Sequence, residues 1–530
     1  MGDAATERPG TWRSLALLFK SWRLASVALL SFASGLPLGL VWIAIPAWMA
    51  RAGVDIKVVG LFTLAQAPWS FKFLWAPLMD RYSPRFLGRR RGFIFLSQLG
   101  LCLLGLWLSA VSDHPEHVLA IGALTLAIGL VAATHDIAYD AYAVEVLRPG
   151  EQGLAVGART SLYRLAMFFS GGLSITLAST FVIPGLDLTW YGSWKTVNFV
   201  LALLYLPCLW VTWKAPEPEA PAEPPQTLKE AVLGPFLGML GQHRALEILA
   251  FVILFKLSDN LTQSLLRPFF VKIGFADTDV GVATMTIGTA GLLAGTFLGG
   301  LLSERVGLGR ALWITGILQV GSNLGYAVVA EVGPHRAVMY AAQAFEYLTS
   351  GLGTGAFGVL LLRLTEKRFS ATQYALLSSL FSIPRVLAGP PTGLLVDALG
   401  WRDFFVLTVV AGIPGLVMLA RFVPWGVREP TFHVKAGPSG APVGMSTLAA
   451  RSVAAGFLGL GAGALAAVGV RWASAVRAGR SFSWGAGFID LALPQTVAGW
   501  TTSLTVLTVA VGCGLAAAAS LIARRGLLRE

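Results

Sequence analysis

The chain divides into fourteen apolar blocks joined by shorter polar connections, and that division governs what it can fold into. The blocks lie near 25–50, 58–80, 92–112, 118–145, 158–181, 193–213, 246–270, 279–303, 311–330, 337–362, 371–397, 403–424, 450–470 and 494–521. A hydrocarbon layer of roughly 30 Å is crossed by about 20 helical residues, the length most of these blocks reach or exceed. Backbone N–H and C=O groups inside lipid must be satisfied within the segment, so each block reads as a helix. A membrane barrel would instead show strands of about ten residues with alternating polarity, and these runs do not alternate. With 55% hydrophobic and only 13% charged residues among 530, the chain has too little charge to clothe a soluble globule of its size. The fold class expected is therefore an all-α polytopic membrane protein.

The net charge of +12 does not gather into one patch that would suit nucleic acid; the basic residues sit between the apolar blocks. With the N-terminus on the cytoplasmic side, 26 Lys and Arg fall in cytoplasmic segments and 10 in outer ones, with four inside spans completing the 40. The positive-inside rule thus places both termini in the cytoplasm. Arg471, Arg477 and Arg480, between the last two spans, run against that bias. The first apolar block continues through Trp48 without a small-residue cleavage site, so no signal peptide is expected. Before it, residues 1–24 carry Trp12, Leu15, Leu18, Phe19 and Trp22 among Arg13, Lys20 and Arg23, a mixture suited to a helix lying on the inner membrane surface. Cys102, Cys208 and Cys513 lie in apolar runs without metal-ligand spacing, and no metal or cofactor is expected.

Twelve of the spans form two sets of six. Ala215-Pro-Glu-Pro-Glu-Ala-Pro-Ala-Glu-Pro-Pro225 reads as a stiff, extended connection between them. The organisation expected is an N-terminal half at 25–213, a linker at 214–244, a C-terminal half at 245–425, and a further linker and two-helix hairpin at 426–530. The halves echo one another. Ala76-x-Leu78-x-Asp80-Arg81 closes the second span, and Gly300-x-Leu302-x-Glu304-Arg305 closes the eighth, 224 residues later. Ser161, Arg164, Gly172 and Leu173 match Ser382, Arg385, Gly393 and Leu394, each 221 residues on. Six is even, so the halves share an orientation and form a parallel repeat, as major facilitators do. In such a fold a carboxylate loop can close onto basic residues and helix ends, so Asp80 and Arg81, with the Arg89-Arg90-Arg91 run, and Glu304 with Arg305 and Arg310, are candidate latches. The alternative is that Asp80 caps a helix and the arginines orient it.

Charges within the spans need a reason, since each costs about 2.5–3.5 kcal/mol at a helix centre on the insertion scale. They are Lys72, Asp136, Asp140, Arg164, Lys256, Asp259, Glu346 and Arg385, four of each sign, which suits a polar cavity walled by pairs. Asp136 and Asp140 stand one turn apart, so each disfavours ionisation of the other. That makes them candidates for proton coupling ahead of the isolated Glu346. Trp69, Phe71 and Trp75 surround Lys72 in sequence, and aromatics beside a cation suit an anionic sugar or peptide. Lys256 and Asp259 share a face with Gln263, with Asn260 just round the helix. Interhelical ties without a transport role are the competing account of these charges, above all for Arg164 and Arg385. His135 is either a proton relay beside Asp136 or an interhelical hydrogen bond.

Several segments resemble the AmpG-type muropeptide permeases: Ser34-Gly-Leu-Pro37, Phe71-Lys-Phe-Leu-Trp-Ala-Pro-Leu-Met-Asp-Arg-Tyr82, Gly88-Arg-Arg-Arg-Gly92 and His135-Asp136 with Asp140-Ala141. Tyr163-Arg164, Lys256-Leu-Ser-Asp259 and Phe369-Ser-Ala-Thr-Gln-Tyr-Ala-Leu-Leu377 extend the likeness over roughly residues 25–425. The resemblance implies the major facilitator fold with two additional C-terminal helices. It also implies proton-coupled import of anhydro-muropeptides, fragments released in peptidoglycan recycling. Lys72, Trp69, Phe71, Lys256, Asp259, Asn260, Gln263 and Tyr163 are then the expected substrate-binding residues, and the partners are a small molecule, protons and the bilayer, with a monomer expected. Ala76 stands where the wider superfamily's gating motif has glycine. Competing readings are an importer of another anion such as a siderophore, a membrane acyltransferase using His135 and Asp136, and a sensor that binds without transporting.

Overall fold

The computed structural model describes residues 21–55, 58–59, 62–82, 84, 86–114, 116–183, 188–218, 223–240, 244–432, 443–477, 479–495 and 497–525. The surface helix expected over 1–24 falls outside them up to residue 20, and within 382–391 the backbone but not the side chains is described.

The first half holds α1 (Trp22–Arg51), α2 (62–81), α3 (Arg91–Val111), α4 (Val118–Val146), α5 (152–177) and α6 (Trp194–Lys214). A linker helix, α7 (Leu228–Leu240), follows. The second half holds α8 (245–273), α9 (Thr278–Val306), α10 (Leu308–Val332), α11 (Arg336–Leu364), α12 (Ser370–Leu399) and α13 (Trp401–Phe422). Then come α14 (Met445–Arg477), the short α15 (Trp484–Ala492) and α16 (Val497–Arg525). A two-stranded antiparallel ladder, Phe181–Ile183 with Leu188–Trp190, joins α5 to α6.

Ten helices among the described residues are long and apolar enough to cross a membrane. The other four expected spans are helical too, but interrupted or more polar. α2 is a chain of short turns, with Pro68 and Pro77 each in the first turn of an α-helical piece and Lys72–Leu74 a 3-10 turn between them. Proline fits that position because the first N–H groups of a helix need no intrahelical partner. α8 breaks between Leu254 and Leu257, at Lys256. α5 passes through a π-helical turn at Phe169–Leu173.

By contact the chain forms two compact units, one of 1–235, 296–308 and 354–379, the other of 236–295, 309–353 and 380–530. In the first, helices approach through small residues, as packing without a hydrophobic drive requires. A Cβ on Gly153 would lie 2.2 Å from the Gly300 carbonyl oxygen, and one on Gly300 the same distance from that of Gly153, so α5 and the end of α9 touch backbone to backbone. Gly35 likewise brings α1 against the Tyr163 carbonyl of α5.

The linker is only partly extended. Thr227 Oγ1 accepts from Glu230 N at 3.1 Å and Glu230 Oε2 from Gln226 N at 2.8 Å, which caps α7, a signal legible as Thr-x-x-Glu. In the second unit, α14 and α16 pack through Gly459 against Cys513 and Gly463 against Val506, and α16 also meets the first part of α8. Arg471 pairs with Asp490 of α15 at 3.3 Å, which gives one of the outlying cations a partner.

Candidate functional site

In the first unit the interruption of α2 turns Lys72 inward, where it is 7% exposed. Its Nζ reaches Asp140 Oδ2 of α4 at 3.4 Å. The other oxygen, Oδ1, accepts from Arg159 Nη2 of α5 at 2.8 Å, so one carboxylate lies between two cations. Arg159 Nη2 also donates to the Tyr374 hydroxyl of α12 at 3.0 Å, and the guanidinium lies 5.3 Å from the Tyr139 ring centre and 5.8 Å from that of Tyr374. Cations are attracted to ring faces at such distances. Asp136, one turn before Asp140, is held by Trp69 Nε1 at 3.1 Å. The two aspartates thus have separate partners. Trp75 bonds Thr134, and Phe71 is 54% exposed.

His135 is fully buried between Ser34 Oγ at 3.0 Å and Gln98 Nε2 at 3.3 Å, an interhelical tie among α1, α3 and α4. Its side chain does not share a hydrogen bond with Asp136 among the described residues.

The second unit has its own buried lysine. Lys256 Nζ meets Asp259 Oδ2 at 2.9 Å, Gln319 Oε1 at 3.0 Å, and both the carbonyl and hydroxyl oxygens of Ser350 at 2.9 Å. At the break in α8, Gln319 Nε2 donates to the Phe255 carbonyl at 3.1 Å. Beside this centre, Glu346 Oε2 accepts from Gln263 at 3.0 Å and from the Tyr326 hydroxyl at 3.4 Å, while Oε1 is buried without a hydrogen-bond partner among the described residues. Tyr347 donates to Gln263 at 3.2 Å. Asn260 is half-buried.

A third cluster lies at the ends of α2, α4 and α12 in the first unit. Asp80, fully buried, accepts from the backbone N–H groups of Ala371 and Thr372 at 3.1 and 2.8 Å and from the Thr372 hydroxyl at 2.6 Å, capping α12. Its nearer cationic partner is Arg90, at 2.6 Å, which also bonds Glu145 at 2.7 Å and Ser370 at 2.8 Å, while Arg89 stands 3.6 Å away. Burial works against the Arg90 charge, but Glu145 and Asp80 outweigh it and hold its pKa above the ordinary guanidinium value. Arg89, also desolvated and beside Arg90, is shifted down. Arg81 lies over the Tyr82 ring at 5.7 Å. Glu304 accepts from Leu154 N at 2.7 Å, in the first turn of α5. Each repeat of the motif therefore caps a helix that begins beyond it in sequence or before it, and Arg305 is exposed. Gly88 takes φ +77° beside the Glu217 carboxylate, where a Cβ would lie 2.1 Å from Oε1, and Arg91 grips Glu217 at 2.7 Å.

Tyr163 and Arg164 are half-buried, and Arg164 Nε has no hydrogen-bond partner among the described residues. The Arg385 side chain lies outside the described ones. Arg159, Tyr374, Glu145 and Gln319 are absent from the charges and polar residues that the sequence singles out, and Arg159 stands beside Asp140 with Lys72. The signal available was spacing, since Arg159 lies within the helical run after Gly153.

Each unit holds a buried lysine–carboxylate centre among helices long and apolar enough to cross a membrane, and the class of protein follows from likeness to known families. A family model described as Major Facilitator Superfamily matches residues 27–367. The chain belongs to the Major Facilitator Superfamily, and it is a multi-pass membrane transporter of small molecules, not an enzyme. It is 40% identical over 403 residues to the anhydromuropeptide permease of Escherichia coli strain K12, covering 76% of this chain and 80% of that one. It is 29% identical over 412 residues to a Rickettsia conorii protein named as a transporter, AmpG 4, covering 76% and 97%. Among solved structures, FucP, a major facilitator in the outward conformation, matches with a TM-score of 0.60 at 12% identity over 75% of this chain and 98% of that one, a likeness of fold.

Proposed function

We propose that this transporter imports anhydro-muropeptides from periplasm to cytoplasm across the bacterial inner membrane, driven by protons. The likeness to the E. coli permease over four-fifths of that protein carries the reading. Both termini then lie in the cytoplasm, the halves are 25–213 and 245–425 joined by the linker at 214–244, and the protein is a monomer. In the first half Lys72, Trp69, Phe71 and Tyr163 are the residues that bind cargo, Lys72 by holding a carboxylate, and in the second half the binding residues are Lys256, Asp259, Asn260 and Gln263. Asp136, Asp140 and Glu346 are the residues through which a proton is coupled. A carrier must hold its charges in pairs that can exchange partners, because an unpaired charge within the membrane is costly. The clasp of Asp80 on the start of α12, with Arg90, serves as the cytoplasmic latch, with Glu304 as its counterpart on α5. Arg81 and Arg305 accompany these ends, and Arg164 and Arg385, inside their spans, are gating or structural charges.

The test is uptake of labelled anhydro-muropeptide by membrane vesicles, with and without an imposed proton gradient. Accumulation above the outside concentration with the gradient, and none after an uncoupler, is the expected result. Uptake indifferent to the gradient removes proton coupling, and no uptake removes the cargo.

A further inference from the structure

Arg159 pairs with Asp140 and yet leaves one of its two terminal nitrogens unused. Its Nη2 serves both Asp140, at 2.8 Å, and the Tyr374 hydroxyl, at 3.0 Å, while Nη1 is buried with no hydrogen-bond partner among the described residues. A guanidinium presents two parallel donors suited to a carboxylate, and a buried donor without an acceptor is costly. The arrangement around Arg159 is that of a fork with one prong occupied. Asp140 is a shared partner, since its other oxygen is 3.4 Å from Lys72, so it can keep an ion pair with Lys72 when Arg159 turns to another anion. Tyr139 and Tyr374 flank the guanidinium with their rings, which fixes its plane without neutralising it.

We propose that Arg159 is a second carboxylate-recognition residue of the transport site, binding an anionic group of the cargo through its guanidinium fork, with Tyr374 as the positioning residue that aims it. The inference rests on the proposed cargo and assigns the recognition of its charge to a residue beyond Lys72. Tyr374 stands two residues beyond Thr372, whose backbone and hydroxyl are held by Asp80. Recognition of the cargo and the cap on α12 therefore act on the same helical turn.

The experiment compares two probes in vesicles: a labelled anhydro-muropeptide with free carboxylates and the same compound with them amidated. In wild type the free acid is taken up in preference. Arg159→Gln is expected to lower that preference about ten- to a hundredfold, the value of one charge-assisted hydrogen bond, through KM for the free acid. Arg159→Lys keeps the charge without the fork and should recover part of the preference, while Tyr374→Phe should raise KM for the free acid a few-fold. Thermal unfolding in detergent identifies a variant that fails to fold, in which case the lysine variant carries the test. Wild-type uptake of neither probe overturns the cargo reading and this inference with it. Uptake of both probes equally by wild type, or an undiminished preference in folded Arg159→Gln or Arg159→Lys, overturns the inference and leaves the cargo reading standing.

Discussion

Each unit buries one lysine beside a carboxylate at an interruption in a helix, and the two lysines are held differently. Lys256 lies among four acceptors, at 2.9 to 3.0 Å. Lys72, among the described residues, reaches one acceptor, Asp140, at 3.4 Å, and shares it with Arg159. Both are 7% exposed, so burial alone does not set them apart. The number of acceptors does. An ammonium with all its protons bonded gives up a bond for each new partner it takes, whereas one that shares a single carboxylate exchanges it at less cost. The second unit's lysine is the more firmly held, tied across α8, α10 and α11, and the first unit's is the more readily exchanged.

The largest effect expected from this contrast is on stability, at Lys256. Lys256→Met leaves Asp259 as an uncompensated buried charge, a change that costs about 3–5 kcal/mol. Thermal unfolding of the purified protein should show a large fall, much of it recovered in Lys256→Met/Asp259→Leu. A melting temperature unchanged from wild type would abolish the distinction between the two centres. Next come the aspartates. Asp136→Asn and Asp140→Asn mimic the protonated form, and each should abolish gradient-driven accumulation while exchange of cargo across the membrane persists. If both variants still concentrate cargo, the pair is a structural feature and the proton travels elsewhere.

Lys72→Met should lower uptake of the charged cargo about tenfold, roughly one charge-assisted hydrogen bond, with the protein folded in the membrane. Loss of insertion instead would make Lys72 a tie like Lys256, and unchanged transport would remove it from the site. The smallest effect is at Trp69→Phe, which deletes the hydrogen bond to Asp136 but keeps an aromatic ring. A net cost of about 1 kcal/mol is expected, read as a shift in the unfolding midpoint.

Much of the scaffold was legible. The apolar blocks fell on helices because length and polarity are local properties, and the repeated Asp80 and Glu304 motifs each turned out to cap the start of another helix. The candidate site was legible as a set of charges but not as pairs. Asp136 and Asp140 looked like one repelling couple, yet Trp69 bonds the first while Lys72 and Arg159 take the second. Arg90 and Glu145, rather than Arg81, meet Asp80 or complete its cluster, because a residue's neighbour along the chain is not its neighbour across helices.

From the sequence alone it followed that this chain must cross a bilayer as helices, since a backbone in lipid has no water to bond and must satisfy its own polar groups. It also followed that the charges inside those helices must meet partners, since leaving one bare in the membrane is too costly. Which partners they meet was decided by tertiary structure. Lys256 and Ser350 are 94 residues apart, and Arg159 and Tyr374 are 215. Such pairs come together only when glycine contacts and helix breaks set the spacing and rotation of whole helices, and no local pattern in the chain encodes that geometry.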